Sequence, residues 1–216
     1  MKLMADVKEL AKKASELYSK GLKPFEIGDE LHLSVDTVNY LLEEGSEGIL
    51  PPSDVKIGWR SIGVSPRRLH LMGEIMADIC TEEMAKKSTD VNTVVGIALN
   101  GIPLAEVIAQ VLNREFAVYR PPAERTESGG AFSSNYAGLA SKRAVVVDDV
   151  LSTGHAMECA INDLRAVGAE PVLCVVMVNK SSLDEMMGVP LRGCVRARSI
   201  GGTILGGGPI KSFAYK

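Results

Sequence analysis

The stretch from Val145 to Ala156, VVVDDVLSTGHA, limits the fold more than any other part of the chain. An apolar run that reads as a buried strand meets two adjacent carboxylates, then a turn of small residues, then the start of a helix near Gly154. A strand that is apolar on both faces belongs inside a sheet covered by helices. The turn after it would aim unpaired N–H groups and the positive end of a helix at an anion, with the hydroxyls of Ser152 and Thr153 as further donors. Asp148 and Asp149 cannot serve that anion, because like charges repel. They suit the hydroxyls of a neighbouring polyol or a divalent cation, so the whole stretch is suited to a sugar phosphate.

The rest of the large domain repeats the pattern. Thr93–Leu99, Glu115–Tyr119, Ala144–Asp148 and Pro171–Val178 read as strands. Pro66–Ala85, Ile102–Leu112 and Gly154–Val167 read as helices, and Leu69, Met72, Ile75, Met76 and Ile79 form the expected buried face of the first. This alternation implies a doubly wound α/β fold with a parallel sheet flanked by helices, and ligands of such sheets lie beyond the carboxyl ends of strands. A last strand is expected over Gly193–Ile200. Within ALNGIPLAEV, Gly101 permits a sharp turn and Pro103 suits a first helical turn, so the N–H groups of Asn100 and Gly101 offer a second anion site.

Ahead of this domain, three short amphipathic helices are expected over Val7–Ser19, Pro24–Leu31 and Val35–Leu42, with Ser34 as the N-cap of the third. Their spacing reads as a helix-turn-helix. Charge opposes a nucleic-acid role for this segment, since Met1 to Glu44 holds six lysines against nine Asp and Glu. GSEGILPPS reads as a linker, which gives an N-terminal unit over 1–45, a linker over 46–55 and a large domain over 56–216. Lys56, Arg60, Arg67 and Arg68 follow it, either as phosphate contacts on a wing or as solvated surface charge, and Trp59 among them is expected to pack the domain junction.

Other features narrow the function classes. No apolar run reaches the roughly 18 residues that span a bilayer, and the N-terminus lacks a signal-peptide core, so a cytoplasmic location is expected. The four cysteines are scattered, with neither zinc spacing nor a disulfide framework. A net charge of −3 gives no general pull toward nucleic acid or membrane.

The VVVDDVLSTG string resembles the phosphoribosyl-pyrophosphate motif of type I phosphoribosyltransferases. The resemblance implies that Asp148 and Asp149 hold the ribose and that Val150, Leu151, Ser152, Thr153, Gly154, His155 and Ala156 surround the 5-phosphate. It departs from many members in having Ala156 where they place Ser or Thr. Asn-Gly-Ile-Pro-Leu-Ala is similar to the pyrophosphate loop of orotate phosphoribosyltransferases, with Asn100 in place of their lysine. By the same resemblance the polar connection from Arg120 to Ser141 matches the mobile catalytic loop. It retains Arg120 but contains no lysine or histidine, so no group suited to proton donation near neutral pH is present. Binding is therefore expected ahead of turnover, and no catalytic residue is assigned; an orotate-type transferase is the rival expectation.

Together with the N-terminal helices, the chain resembles archaeal orotate phosphoribosyltransferase-like transcriptional regulators, the group that includes regulators of glucose and fructose catabolism. That implies a (winged) helix-turn-helix with Val35, Asp36, Thr37, Asn39 and Tyr40 near the reading face and Lys20 and Lys23 near DNA phosphates. It further implies a homodimer that binds a DNA operator and responds to phosphoribosyl pyrophosphate or a nucleotide, with Mg2+ reaching Asp148 and Asp149 through the ligand.

Overall fold

The computed structural model describes residues 2–43, 54–122 and 131–198, with side chains from Val7 onward. Three helices come first: α1 (Lys2–Ser19), α2 (Pro24–Leu31) and α3 (Val35–Leu42). Ala14, Ile27, Leu33, Val38 and Leu41 close into a small core between them. Pro24 opens α2, and the Ser34 hydroxyl caps α3 by accepting the Thr37 N–H at 3.2 Å. The tight turn between them rests on His32, whose φ of 56° ends α2.

The large domain contains α4 (Arg60–Gly63), α5 (Pro66–Lys87), β1 (Thr93–Ile97), α6 (Gly101–Leu112), β2 (Glu115–Arg120), β3 (Ala131–Phe132), β4 (Arg143–Leu151), α7 (His155–Ala166), β5 (Glu170–Asn179), β6 (Glu185–Met186) and β7 (Val189–Arg196). The strands lie in the order β3-β2-β1-β4-β5-β7-β6. The five from β2 to β7 run parallel, and β3 and β6 add antiparallel two-residue edges. One face is covered by α5 and α6, whose Met76, Leu104 and Ile108 pack on Val94, Val145 and Val147. The other is covered by α7, whose Met157, Ile161 and Leu164 pack on Val95, Val146 and Val176. The sheet is therefore buried on both faces, as its unbroken valine runs require.

Four sequence expectations change. Strand β4 runs on through the acidic pair to Leu151, because Val150 and Leu151 continue the ladder opposite Val178 and Asn179. The last strand lies earlier than expected, since Leu191 supplies the buried residue opposite Cys174. The basic run after the linker forms α4 and the first turn of α5 rather than a β-wing, held down by Ile57, Trp59 and Ile62 on the large core. Ile75 faces outward at 52% exposure instead of joining the core face of α5. Residues 45–53 of the expected linker, residues 123–130 of the Arg120–Ser141 loop and the tail from residue 199 lie outside the described residues.

Candidate ligand site

Two strand-to-helix turns meet at the carboxyl end of the sheet. At the first, the Ala98–Leu99 peptide is cis and α6 starts at Gly101. A Cβ on Gly101 would stand 2.4 Å from the Val147 carbonyl oxygen, so only glycine lets α6 begin against β4. At the second, Gly154 has a φ of 86°, and a Cβ there would meet the Met186 methyl at 2.7 Å. The first turn thus depends on glycine for close backbone approach and the second for its left-handed backbone, and the residues at the starts of the two helices, Asn100 and His155, line one cavity.

Between the turns lies a cavity of about 420 Å³. The large domain contributes Leu99, Asn100, Asp148, Asp149, His155 and Ala156 to its wall. Its roof comes from the N-terminal helices, through Lys20, Leu22, Glu26, Asp29, Glu30 and His32.

The two carboxylates of the acidic pair differ in environment. Asp149 is 3% exposed, and its Oδ2 accepts from Trp59 Nε1 at 2.6 Å and from Asn100 Nδ2 at 3.1 Å, with His32 Nε2 at 3.4 Å. Asn100, where the resemblance puts a lysine, thereby ties the first turn to the acidic pair. Asp148 is half-buried in the cavity wall and accepts the Asp149 N–H at 2.8 Å. Lost hydration, and then the neighbouring Asp149 charge, push its carboxyl well above the ordinary range.

The second turn already grips a carboxylate. Asp29 Oδ1 accepts from the Thr153 N–H at 3.1 Å and the Thr153 hydroxyl at 2.8 Å, and Asp29 Oδ2 accepts from the Ala156 N–H at 3.4 Å. The His155 N–H donates to Thr153 Oγ1 at 3.2 Å, which orients that hydroxyl. Ala156 thus contributes through its backbone, and the missing hydroxyl does not remove its donor. Ser152 Oγ is buried and has no partner among the described residues. Burial raises the Asp29 carboxyl against the opposing pull of the Thr153 and Ala156 donors. Phe25 seals the contact, its ring centroid 4.1 Å from that of His155.

A second anchor lies beside it. Lys180 Nζ reaches the His32 carbonyl at 2.5 Å and Asp54 at 2.9 Å, and Asp54 accepts the Ser34 N–H at 2.6 Å. Sequence reasoning missed Asp29, His32, Asp54 and Lys180. The one signal was the excess of carboxylates on helices expected to face DNA.

Of the other expected residues, Asn100, Val150, His155 and Ala156 line the cavity, Thr153 reaches it through Asp29, Gly101, Ser152 and Gly154 do not line it, and Leu151 is buried in strand β4. Arg120 does not line the cavity; it ends β2 exposed, and Pro121 and Pro122 reach the wall instead. Lys20 is exposed and lines the mouth of the cavity. On α3, Asp36 and Asn39 are exposed while Val35 and Tyr40 are half-buried. Thr37 is corrected: it is 8% exposed, and its hydroxyl lies 2.9 Å from that of Ser34, so it does not offer a base-reading group. Lys23 is exposed at the start of α2, its ammonium 5.9 Å from the Phe25 ring centroid. Among the described residues no group of three or more His, Cys, Asp or Glu could hold a metal unaided, and no helix is long and apolar enough to cross a membrane.

Comparison with known proteins agrees with this architecture. Residues 58–187 match the phosphoribosyl transferase domain family. The orotate phosphoribosyltransferase of Aeropyrum pernix superposes with a TM-score of 0.56 over 68% of this chain and 81% of that one, at 22% identity, a likeness of fold. The transcriptional regulator GfcR of Thermoplasma acidophilum is 46% identical over 93% of this chain and 100% of its own length. Its counterpart in Picrophilus torridus is 42% identical over 89% and 98%. The chain therefore belongs to the GfcR family of transcriptional regulators, built on a phosphoribosyl transferase domain behind three N-terminal helices.

Proposed function

We propose that this regulator binds operator DNA through its N-terminal helices and senses a phosphoribosyl ligand, phosphoribosyl pyrophosphate or a nucleotide, in the cavity at the end of the sheet. The observation that carries the reading is the Thr153–Ala156 turn, whose donors already close on a carboxylate beside a second, half-buried carboxylate. A turn that holds one anion is suited to hold another, and a phosphate offers more acceptor oxygens than a carboxylate. Asp148 stands where ribose hydroxyls would donate, and Asp149 is braced behind it. The cavity of about 420 Å³ lies within the usual range for small-molecule sites.

Mg2+ fits this reading as a companion of the ligand. No three protein groups gather to hold a metal among the described residues, so the ion would take most of its oxygens from a diphosphate and one from Asp148. It would supply charge neutralisation between the diphosphate and the acidic wall. DNA recognition falls to the exposed side of α3, through Asp36 and Asn39, with Lys23 toward the phosphates. A homodimer is part of the reading, because Val64, Leu71 and Ile75 stand exposed at 55%, 46% and 52% along α4 and α5.

The test is binding of genomic fragments by the purified chain with and without phosphoribosyl pyrophosphate and Mg2+. We expect a fragment whose affinity changes with ligand, and loss of that response when Asp148→Asn and Asp149→Asn are combined. Calorimetry showing undiminished ligand affinity in the double variant would overturn the assignment of the site. Steady release of nucleotide from a base and phosphoribosyl pyrophosphate would overturn the reading of a sensor in favour of an enzyme.

A further inference from the structure

We infer that Asp29 is a built-in substitute for the ligand's phosphate, so that docking of the N-terminal helices and occupation of the phosphoribosyl site exclude each other. The inference rests on the proposed ligand class and adds how that site is regulated.

Three observations lead to it. First, the donors that would receive a phosphate are taken: the Thr153 N–H, the Thr153 hydroxyl and the Ala156 N–H all point to the two oxygens of Asp29. A phosphate and the Asp29 carboxylate cannot share them. Secondly, the cavity as roofed is acidic. Glu26, Asp29 and Glu30 from α2 outnumber Lys20 across from Asp148 and Asp149, so an anionic ligand entering beneath that roof would meet net repulsion. Thirdly, the remaining contacts on the Asp29 side fit a surface that separates. Besides the Lys180 anchor, they are the Phe25 ring on His155, the Gly28 backbone passing near the Thr153 methyl, and the His32 imidazole 3.4 Å from Asp149. Lys180 holds the His32 carbonyl at the end of α2 and serves as the hinge. Burial also raises the Asp29 carboxyl, so the docked carboxylate is held at a desolvation cost that leaving the turn relieves.

Ligand and α2 are then competitors for one anion cradle. Phosphate entry removes Asp29, α2 swings away about the Lys180 anchor with α1 and α3, and the position of the helices that read DNA changes relative to the large domain. A ligand that favours the undocked arrangement shifts the population by its differential affinity alone.

The test uses the full chain and ribose 5-phosphate, the smallest probe carrying both the phosphate and the ribose. Hydrogen exchange on the wild type needs no substitution. We expect amides of residues 24–33 to exchange faster with probe while those of residues 152–156 stay protected. The single tryptophan, Trp59, lies beside His32 and should report the same event by a change in emission. Asp29→Ala should bind the probe about tenfold more tightly than wild type, because the undocked fraction rises. Phe25→Ala, which loosens α2 without touching the donors, should shift affinity in the same direction. Added protection of both segments, or equal affinity in wild type and Asp29→Ala, would overturn the competition while leaving the ligand class intact. Absence of binding to any of these proteins, with phosphoribosyl pyrophosphate and Mg2+ also inert, would remove the ligand class and this inference with it.

Discussion

Asp148, the residue proposed to bind the ligand, carries a cost in stability. Its side chain stands half-buried in the cavity wall, where lost hydration and the adjacent Asp149 push its carboxyl well above the ordinary value of 3.8. The sign follows from linkage. A folded-state value raised above the unfolded one means that the ionised form opposes folding, so this residue lowers stability at neutral pH and the penalty fades as pH falls through the raised value. Asp148→Asn keeps an oxygen for the Asp149 N–H and removes the charge. We expect it to raise stability by about 1 kcal/mol, or ~3 °C in Tm, at neutral pH while weakening ligand binding. The gain should shrink when melting is repeated in acid, where wild-type Asp148 is itself protonated. A lower Tm for the variant at neutral pH would show that the carboxylate is stabilising and that repulsion within the pair is not the controlling effect.

At the scale of elements, Asp54 and Lys180 fasten the N-terminal helices independently of the anion turn. Burial works against the Asp54 charge, but the Ser34 N–H and the Lys180 ammonium outweigh it and hold the carboxyl below 3.8. Here the sign is opposite to that of Asp148. The stabilisation is complete above 3.8 and is lost as pH falls through the lowered folded value. Lys180→Met leaves a largely buried carboxylate with only neutral donors, the N–H groups of Ser34 and Val55 and the Thr37 hydroxyl, and we expect a loss of about 2 kcal/mol at neutral pH. Melting curves taken from about pH 3 to neutrality should show a smaller acid-induced loss in the variant than in the wild type. Equal acid sensitivity would mean that this pair does not control the docking of the helices.

These two anchors also mark where the sequence ceases to be informative. Strands β1, β4 and β5 were legible because a run such as Val145 to Val147 has no stable place except between two helical layers, and the glycines at 101 and 154 marked the turns that follow. The acidic pair was legible for the same local reason. What could not be read were contacts between residues far apart in sequence: Asp29 with Thr153, Trp59 with Asp149 and Lys180 with Asp54 carry no local pattern. Thr37 was misplaced because its type suits a base reader as well as it suits a partner for Ser34, and only packing distinguishes the two. Ile75 fits the helical period of the core face of α5, and its outward position became visible only once α5 was packed on the sheet.

For the molecule as a whole, a dimer formed through that outward face would connect the proposed ligand sensing to DNA. Leu71 and Ile75 lie one turn apart on the exposed side of α5, with Val64 just ahead of the helix. Burying such a face against its copy in a second chain would remove apolar area twice over, at roughly 25 cal/mol per Å². It would also place two α3 helices at a fixed separation, which sets the spacing of DNA half-sites. A single α1–α3 unit is acidic and would hold DNA weakly, so affinity should depend strongly on having two units joined. Combining Leu71→Glu with Ile75→Glu puts four like charges across that face. We expect sedimentation to show the wild type at the mass of two chains and the variant at the mass of one, with operator affinity reduced at least ~tenfold. Because neither residue lines the cavity, ribose 5-phosphate affinity should be unchanged, which separates loss of assembly from loss of the ligand site. A variant that still sediments as two chains would move the interface away from α5, and one that is a single chain yet binds operator undiminished would disconnect DNA recognition from dimerisation.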